Sequence, residues 1–437
     1  MLNLSARLLA LLLCCFTGLA FSNLVTAQGY EQLYSDYRGS LYQIRLIEKS
    51  SNSKAGLGSG FQISADGLIA TNYHVVAEAV AEPDKYQLEF LSVDGVKGNL
   101  ELLDIDVIND LAILRQDQPG KDYLQLAEDT PKKGETIVAL GNPLDLGMTL
   151  IPGTYNGIAS GSFYDRIHFA GSINPGMSGG PAINTRGQVV GINVATAGNQ
   201  VSFLVPVDKL ANLLQHFRKQ GNSVDLKAVT HQQLLDNQQR IIDSILQADW
   251  QRRSLGEAKV VGEIVPAIQC WGSTQESDDN PVTRIDKGCT GQDVVFLSED
   301  FNTGRVEYEF FWLEADDLLP SRFYAEYEQQ MSSFYPGNTA GEEDVTKFQC
   351  RQAFTSQARD GETPTSKPER NKKPIVARTS YCVRRYKDFP DLYDIFFLSL
   401  SVDQKNRALV SHFTLSGFTQ ESAAAFTEKF TSEIQWH

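Results

Sequence analysis

Three side chains in the first half of the sequence have the types and the order needed for hydrolysis by a serine nucleophile: His74, Asp110 and Ser178. This chemistry requires a hydroxyl nucleophile, a base that removes its proton, a carboxylate that orients the base, and donors that stabilise an oxyanion. Each of the three side chains lies in a local context that can be weighed by itself.

Ser178 lies in a glycine-rich segment, residues 176–181, with the sequence GMSGGP. Glycines on both sides let the backbone turn tightly, because glycine adopts conformations that other residues avoid. In such a turn we expect the amide N–H groups of Gly176 and Ser178 to point to one spot and form an oxyanion hole. The alternative is a glycine-rich surface turn that contains an incidental serine.

His74 is the candidate base. It follows an apolar, strand-like run that ends at Thr71 and precedes a short helix-like segment over residues 75–80. A single histidine in this context is often only a packed or exposed side chain, and His168 is a rival because it is close to Ser178 in the sequence. His168 lies in an alternating strand pattern, which favours a structural role.

The orienting carboxylate is predicted to be Asp110, which directly precedes the apolar run 111–114. A carboxylate buried against the base fixes its tautomer and stabilises the imidazolium that forms. Asp104 and Asp106 are close competitors. We favour Asp110 because the buried strand begins directly after it.

The elements that must position these residues are short strands. Residues 30–206 alternate β-like runs with turns, which predicts an all-β barrel or sandwich rather than alternating strands and helices. The predicted strands are 41–48, 60–63, 68–71, 86–90, 111–114, 136–140, 188–193 and 202–205. A helix is predicted over 207–219, because Leu210, Leu213, Leu214 and Phe217 share one face.

The second half of the sequence predicts an α+β domain. A connecting helix is predicted at 231–250, and strands and a closing helix follow at 305–312, 381–385, 394–401, 409–416 and 420–435. Runs of strands followed by a helix are typical of the α+β class. The predicted divisions are a signal peptide at 1–27, a mainly β domain at 28–220, a helical connector at 221–255 and the C-terminal domain at 256–437.

The first 27 residues have the features of a removable secretory signal. Arg7 supplies the positive charge, Leu8–Phe16 form a short apolar run, and Val25 and Ala27 place small residues before the cleavage site. The apolar run is short for a membrane span. Leu13, before Cys14, is not the small residue that a lipoprotein signal requires. We expect export to the periplasm or the exterior, with no stable membrane span after signal removal.

The formal net charge of −15 argues against a protein that binds nucleic acid or anionic membranes unaided.

Four cysteines remain after signal removal: Cys270, Cys289, Cys350 and Cys382. Export into an oxidising compartment favours two disulfides among three possible connectivities, and we prefer the sequential pairs 270–289 and 350–382 because each closes a short loop. No CxxC spacing is present, so we predict no zinc site.

The segments around the three candidate residues resemble those of trypsin-like serine proteases, and most closely the bacterial HtrA (Deg) protease domain. The similar stretches are 58–61 (GSGF), 71–76 (TNYHVV), 109–112 (NDLA), 141–143 (GNP), 173–181 (INPGMSGGP) and 190–193 (VGIN). The resemblance implies a double six-stranded β-barrel, endopeptidase activity on protein or peptide substrates, and no metal or organic cofactor. It also implies that Ser172 is the floor of the S1 pocket and that Ile173, Ile192 and Asn193 are near it, which favours a small or medium apolar P1 residue.

Departures from this family are also visible. Nothing after Pro206 resembles the carboxylate-binding loop of a PDZ domain, and Met177 replaces the asparagine usual before the serine. We expect the Met177 side chain to face away from the oxyanion amides.

Three other functions compete with the endopeptidase. The first is an esterase or lipase, because GxSxG around Ser178 also fits the nucleophile elbow of α/β hydrolases. That motif needs a helix after the serine and a histidine later in the chain. A protease-like binding protein and a chaperone-like quality-control factor with conditional proteolysis stay open. The oligomeric state and the natural substrate are not indicated by the sequence.

Overall fold

The computed structural model describes residues 24–436 except 118–119, 199, 222–224, 278–279, 333, 337, 360–374 and 403. Residues 1–23, most of the predicted signal peptide, lie outside the described residues. By its internal contacts the chain divides into two units. The barrel unit comprises Met1–Ile105, Leu111–Ile158 and Arg166–Val224, and the C-terminal unit comprises Asp106–Asp110, Ala159–Asp165 and Asp225–His437.

In the described part of the barrel unit, six strands close a first barrel in the order β1-β2-β3-β6-β5-β4. They are β1 (Leu41–Glu48), β2 (Ser53–Gln62), β3 (Leu68–Thr71), β4 (Tyr86–Ser92), β5 (Lys97–Asp106) and β6 (Leu111–Gln116). The predicted bounds of β1 and β3 are confirmed, whereas β2 begins before the predicted start at residue 60. Its glycines, which suggest a turn, allow close packing instead: a Cβ at Gly58 would lie 2.5 Å from Val75.

A second set of described strands closes another barrel in the order β10-β11-β12-β9-β8-β7. They are β7 (Thr136–Gly141), β8 (Thr149–Ile158), β9 (Ile167–Ala170), β10 (Pro181–Ile183), β11 (Val189–Gly198) and β12 (Val201–Pro206). The double six-stranded barrel expected from the resemblance is therefore confirmed. Strand β9 agrees with the alternating pattern around His168. Strands β8 and β10 were not among the predicted runs, because β10 is short and β8 is interrupted by proline, glycine and asparagine.

Three helices accompany the barrels: α1 (Leu24–Tyr37), α2 (Tyr73–Ala81) and α3 (Val207–Gln220). The four apolar residues predicted to share one face of α3 are all buried, and they pack with apolar residues of the barrel unit. Gly221 follows with a φ of +82°, which glycine adopts without strain.

The C-terminal unit contains α4 (Leu226–Gln247), α5 (Pro320–Met331) and α6 (Gln420–Ser432). Helix α4 begins before the predicted start at residue 231, because the Asp225 side chain caps it by accepting from Ala228 N–H at 3.2 Å. Segments 106–110 and 159–165 are held to this helix. Val107 N–H donates to Gln233 Oε1 at 2.9 Å, and Asn237 Nδ2 donates to the Tyr164 hydroxyl at 3.0 Å.

Ten of the described strands in this unit form one sheet, in the order β13-β14-β24-β20-β21-β22-β23-β19-β16-β15, and β17 pairs with β18. They are β13 (Arg252–Leu255), β14 (Ala258–Val261), β15 (Ile268–Ser277), β16 (Asn280–Gly291), β17 (Val295–Ser298), β18 (Phe301–Thr303), β19 (Val306–Glu314), β20 (Gln349–Arg359), β21 (Ile375–Arg385), β22 (Tyr393–Val402), β23 (Arg407–Phe418) and β24 (Gln435–Trp436). The closing helix predicted to reach residue 435 ends at Ser432, and β24 pairs in parallel with β20. That extension of the helix was wrong, because the last residues satisfy their backbone groups in the sheet.

Both predicted cysteine pairs lie at disulfide distance on neighbouring strands. The sulfur atoms of Cys270 and Cys289 are 2.04 Å apart across β15 and β16, and those of Cys350 and Cys382 are 1.99 Å apart across β20 and β21. Each pair is directly opposite in the strand register.

No helix in the described part of the chain is long and apolar enough to span a membrane. Among the same residues, no group of three or more His, Cys, Asp or Glu side chains is placed to hold a metal ion.

Candidate active site

The segment around Ser178 is a tight turn that only glycine permits at two positions. Gly176 and Gly179 have φ values of +92° and +84°, in the left-handed region that favours glycine. A Cβ at Gly179 would lie 2.3 Å from both Ser59 O and Thr71 Oγ1. The turn is therefore pressed against β2 and the end of β3.

The carbonyl groups of this turn are held by donors from neighbouring elements. Gly176 O accepts from Ser59 Oγ at 2.7 Å, Pro175 O accepts from Leu144 N–H at 3.0 Å, and Ser178 O accepts from Ser59 N–H at 2.8 Å. Within the described part of the chain, no main-chain carbonyl accepts from the N–H groups of Gly176 or Ser178. These two amides are thus available to an oxyanion.

The Ser178 side chain is half-buried, and its hydroxyl donates to Val194 O at 3.0 Å. The adjacent Met177 side chain is fully buried among apolar residues of the second barrel. Ser178 is therefore partly accessible to solvent, whereas the neighbouring Met177 is not.

His74 is the second residue of α2 and is half-buried. It follows the end of β3, where Thr71 Oγ1 donates to Ser59 O at 2.7 Å. Since Ser59 also holds the Ser178 turn, the candidate base and the candidate nucleophile are carried by segments that share one anchoring residue. A Cβ at Gly179 would lie 2.9 Å from Asn72 N, two residues before His74, so the two segments are in direct contact.

Asp110 directly precedes β6 and is 9% exposed, with a φ of +63°. Ala112 of β6 pairs with Thr71 of β3, so β6 starts at the barrel edge where β3 ends. Thr71 precedes His74 by three residues in the sequence. Both His74 and Asp110 have interaction partners. A positive φ is uncommon outside glycine, although aspartate is among the residues that tolerate it best.

The competing residues are engaged elsewhere. Asp104 is fully buried; its carboxylate accepts from Ile105 N–H at 2.9 Å and lies 3.2 Å from His216 Nδ1. Asp106 accepts from the main-chain and side-chain nitrogens of Asn109 at 2.9 and 2.7 Å. His168 is a half-buried side chain between buried residues of β9, as its strand pattern predicts.

The residues expected around S1 divide into two groups. Ser172 is exposed, but the Ile173 and Ile192 side chains are buried in the apolar cores of the barrels. Asn193 is also buried, and its Nδ2 donates to Leu140 O at 2.8 Å and Met177 O at 3.2 Å. Ile192 and Asn193 would therefore contribute main-chain atoms rather than side chains to a substrate pocket.

Residues 58–192 match the family model described as trypsin-like peptidase domain. This segment is a trypsin-like peptidase domain. The match covers the turn around Ser178, the β3–α2 junction and the start of β6, which are the parts that carry the three candidate residues.

Curated proteins similar to this segment include serine proteases named DegP-like and HTRA1. The chain is 33% identical over 175 residues to a "Probable periplasmic serine endoprotease DegP-like" of Bartonella henselae, covering 38% of this chain and 34% of that protein. It is 35% identical over 171 residues to "Serine protease HTRA1" of Xenopus tropicalis, covering 37% and 36%. The crystal structure of a serine endoprotease from Yersinia pestis aligns with 26% identity and a TM-score of 0.38, over 44% of this chain and 68% of that one. The chain thus spans about a third of the length of the curated relatives it matches.

One residue of the peptidase domain, Ser59, has a structural role that the sequence pattern does not predict. Ser59, in the GSGF stretch, is 1% exposed. Besides its bonds to the turn and to Thr71, its hydroxyl accepts from Asn142 N–H at 2.9 Å. A serine between two glycines offers no sign of these partners, because all of them come from distant parts of the sequence.

We expect Ser59→Ala to lower kcat by about 10–100-fold with little change in KM. The substitution frees Gly176 O and so loosens the oxyanion amides without removing one, and removal of a donor costs about 10²–10³. Steady-state kinetics and thermal unfolding of the full chain check this. Ser64→Ala is the matched control, because Ser64 is also a buried serine that bonds within the first barrel, accepting from Leu68 N–H. Equal kcat values in the two variants would contradict the assignment.

Proposed function

We propose that the protein is an exported serine endopeptidase, acting in the periplasm or outside the cell, that uses His74, Asp110 and Ser178 as a catalytic triad. The observation that carries the proposal is the state of the Ser178 turn, whose carbonyls are tied to neighbours while the Gly176 and Ser178 amides are left for an oxyanion. The match to the peptidase family and the endoprotease relatives support it.

In the proposed reaction, the Ser178 hydroxyl leaves Val194 O and attacks the scissile carbonyl while His74 takes its proton. Asp110 holds the imidazole in the tautomer that accepts this proton and stabilises the cation that forms. The negative charge on the former carbonyl oxygen is stabilised by the two amides. The tetrahedral intermediate then collapses, and His74 returns the proton to the leaving amine.

The acyl-enzyme is next hydrolysed by the same groups. His74 removes a proton from water as the water attacks the ester, and the second tetrahedral intermediate uses the same oxyanion amides. Collapse of this intermediate releases the carboxylate product and restores the Ser178 hydroxyl.

Labelling by an active-site-directed fluorophosphonate tests the proposal. The reagent phosphonylates a serine that is activated by a base, so the mature chain should be labelled at Ser178. Ser172→Ala is the matched control, since Ser172 is exposed and lies in the same loop, and it should still react. Equal labelling of wild type and Ser178→Ala would overturn the proposal and favour a protease-like binding protein.

A peptide library digested by the mature chain and read by mass spectrometry extends this test to specificity. We expect cleavage after small or medium apolar P1 residues, because the expected S1 floor is Ser172 and carries no charge. Preferential cleavage after Lys or Arg would contradict the S1 assignment while leaving the triad untouched.

A further inference from the structure

A groove of about 790 Å³ crosses one face of the C-terminal sheet. That volume falls in the range of ligand-binding pockets in proteins, roughly 300–1,000 Å³. Its lining residues come from β20, β21, β22 and the start of α6, together with Thr346 before β20. We call it the arginine groove, after Arg351 and Arg385 among its lining residues.

The strand register explains the composition of the arginine groove. Tyr381, Val383 and Arg385 alternate along β21 and therefore share one face of the sheet. Across the register, Arg351 pairs with Tyr381 and Ile395 pairs with Val383. The groove thus combines aliphatic and tyrosine side chains with two guanidinium groups.

Neither guanidinium has an acidic partner within the described part of the chain, although acidic residues outnumber basic ones by 54 to 39. Other arginines of the same unit are paired: Arg384 Nε lies 2.8 Å from Asp394 Oδ2, and Arg252 Nε lies 2.7 Å from Glu433 Oε2. Among the described residues, none that lines the groove is acidic. In a chain of net charge −15, a cationic groove without internal counter-charges indicates an external anionic ligand.

Two further features add to this positive character. Gln420 and Ala423 in the first turn of α6 line the groove, and the N-terminus of a helix carries a partial positive charge. Glu421 lies in the same turn and is exposed, but it is not a lining residue. Burial raises the pKa of Tyr381, so its phenol stays neutral and adds no negative charge.

We propose that the arginine groove binds acidic segments of polypeptide substrates, at a site additional to the catalytic one. The inference rests on the proposed endopeptidase function, which makes polypeptide the ligand that the chain must capture. The guanidinium groups recognise carboxylates as charged, fork-shaped donors. Tyr381, Tyr393, Val383 and Ile395 provide the apolar surface against which neighbouring side chains of an extended peptide pack. A nucleic acid is disfavoured, because the groove contains two arginines and not the extended stripe of basic residues that follows a phosphate backbone.

Binding is tested in the full mature chain carrying Ser178→Ala, so that the probe is not cut. The probe is a fluorescein-labelled, unstructured 12-residue peptide that alternates Glu with Leu and Phe, and its counterpart has Gln at every Glu position. Fluorescence anisotropy should give a Kd that is weakened about tenfold or more by Arg351→Gln with Arg385→Gln. The Glu-to-Gln peptide should bind the unsubstituted groove with an affinity lower by a similar factor. Added salt should weaken the binding of the acidic peptide and leave that of the Glu-to-Gln peptide unchanged.

Arg378→Gln is the matched control. Arg378 is an exposed arginine on β21. It lies on the opposite face of the strand from Tyr381, Val383 and Arg385, and its guanidinium donates to Gln352 Oε1 at 2.8 Å. It should leave the Kd unchanged. Thermal unfolding of each variant verifies that the fold is kept. An unchanged Kd in the double variant, or equal Kd values for the two peptides, would overturn the proposal, as would binding to phosphatidylglycerol vesicles without binding to the peptide.

A kinetic arm separates this inference from the proposed function. With Ser178 intact, substrates that carry an acidic tag far from the scissile bond should show a higher kcat/KM than untagged ones, and the double variant should lose only that advantage. If no substrate is cleaved while the acidic peptide still binds, the proposed endopeptidase function is wrong and the proposed ligand of the groove is supported. If cleavage is normal and the tag has no effect on kcat/KM, only the proposal that the groove binds acidic substrate segments is wrong.

Discussion

Ser178→Ala is expected to lower kcat for peptide hydrolysis by about 10⁶, because no other group replaces the hydroxyl in forming the acyl-enzyme. The turn keeps its anchors in this variant, since the bonds from Ser59 and Leu144 go to main-chain carbonyls. Stability and the affinity for uncleaved peptide should therefore stay near those of the wild type. Kinetics with a quenched fluorescent peptide, together with thermal unfolding, measure both properties.

Ser172→Ala provides the comparison for this variant. It removes a hydroxyl from the same loop at an exposed position, so kcat should remain close to the wild-type value and any change should appear in KM. Residual activity of Ser178→Ala within tenfold of the wild type would exclude Ser178 as the nucleophile.

The sequence predicts the barrel unit well where apolar runs are continuous and bounded by turns. Strands β1 and β3 follow from short apolar runs bounded by turns, and nearly all of their residues are buried. Helix α3 follows from the helical spacing of its buried apolar residues. Strand β2 shows where this reasoning stops. Its glycines look like turn residues, but Gly58 is needed for close packing on Val75 of α2, a contact that local sequence does not encode.

The C-terminal unit was harder to predict for a related reason. The sheet places β24, a two-residue strand at the end of the chain, between β14 and β20. Such a short segment carries no period that a sequence pattern reveals, and its pairing depends on residues nearly eighty positions away along the chain. The long strands β22 and β23, by contrast, were recognised from their apolar residues.

The candidate site likewise contains residues that the sequence predicts and residues that it does not. Ser178, His74 and the oxyanion amides are visible in the sequence because glycines and a strand–helix junction surround them. The anchoring role of Ser59 is not, since it depends on one buried hydroxyl bonding Gly176 O and Asn142 N–H from two other segments. The burial of Ile192 and Asn193 likewise follows from barrel closure rather than from local pattern.

Asp110→Asn is expected to lower kcat by about 10⁴ with little change in KM. An amide in place of the carboxylate favours the wrong imidazole tautomer and no longer stabilises the imidazolium, a loss of about that size in enzymes with this triad. Asparagine tolerates a positive φ as well as aspartate does, so the unusual backbone at this position should survive the change. Circular dichroism and thermal unfolding check that it does.

Asp106→Asn is the matched control, because Asp106 is four residues away and its carboxylate is occupied by Asn109. This variant should keep kcat within a few-fold of the wild type while losing some stability. The reverse outcome, an inactive Asp106→Asn and a nearly normal Asp110→Asn, would transfer the orienting role to Asp106. A further distinction comes from high pH: hydroxide assists a serine that lacks a well-oriented base, so Asp110→Asn should recover part of its activity as the pH rises, whereas a variant that is merely unstable should not.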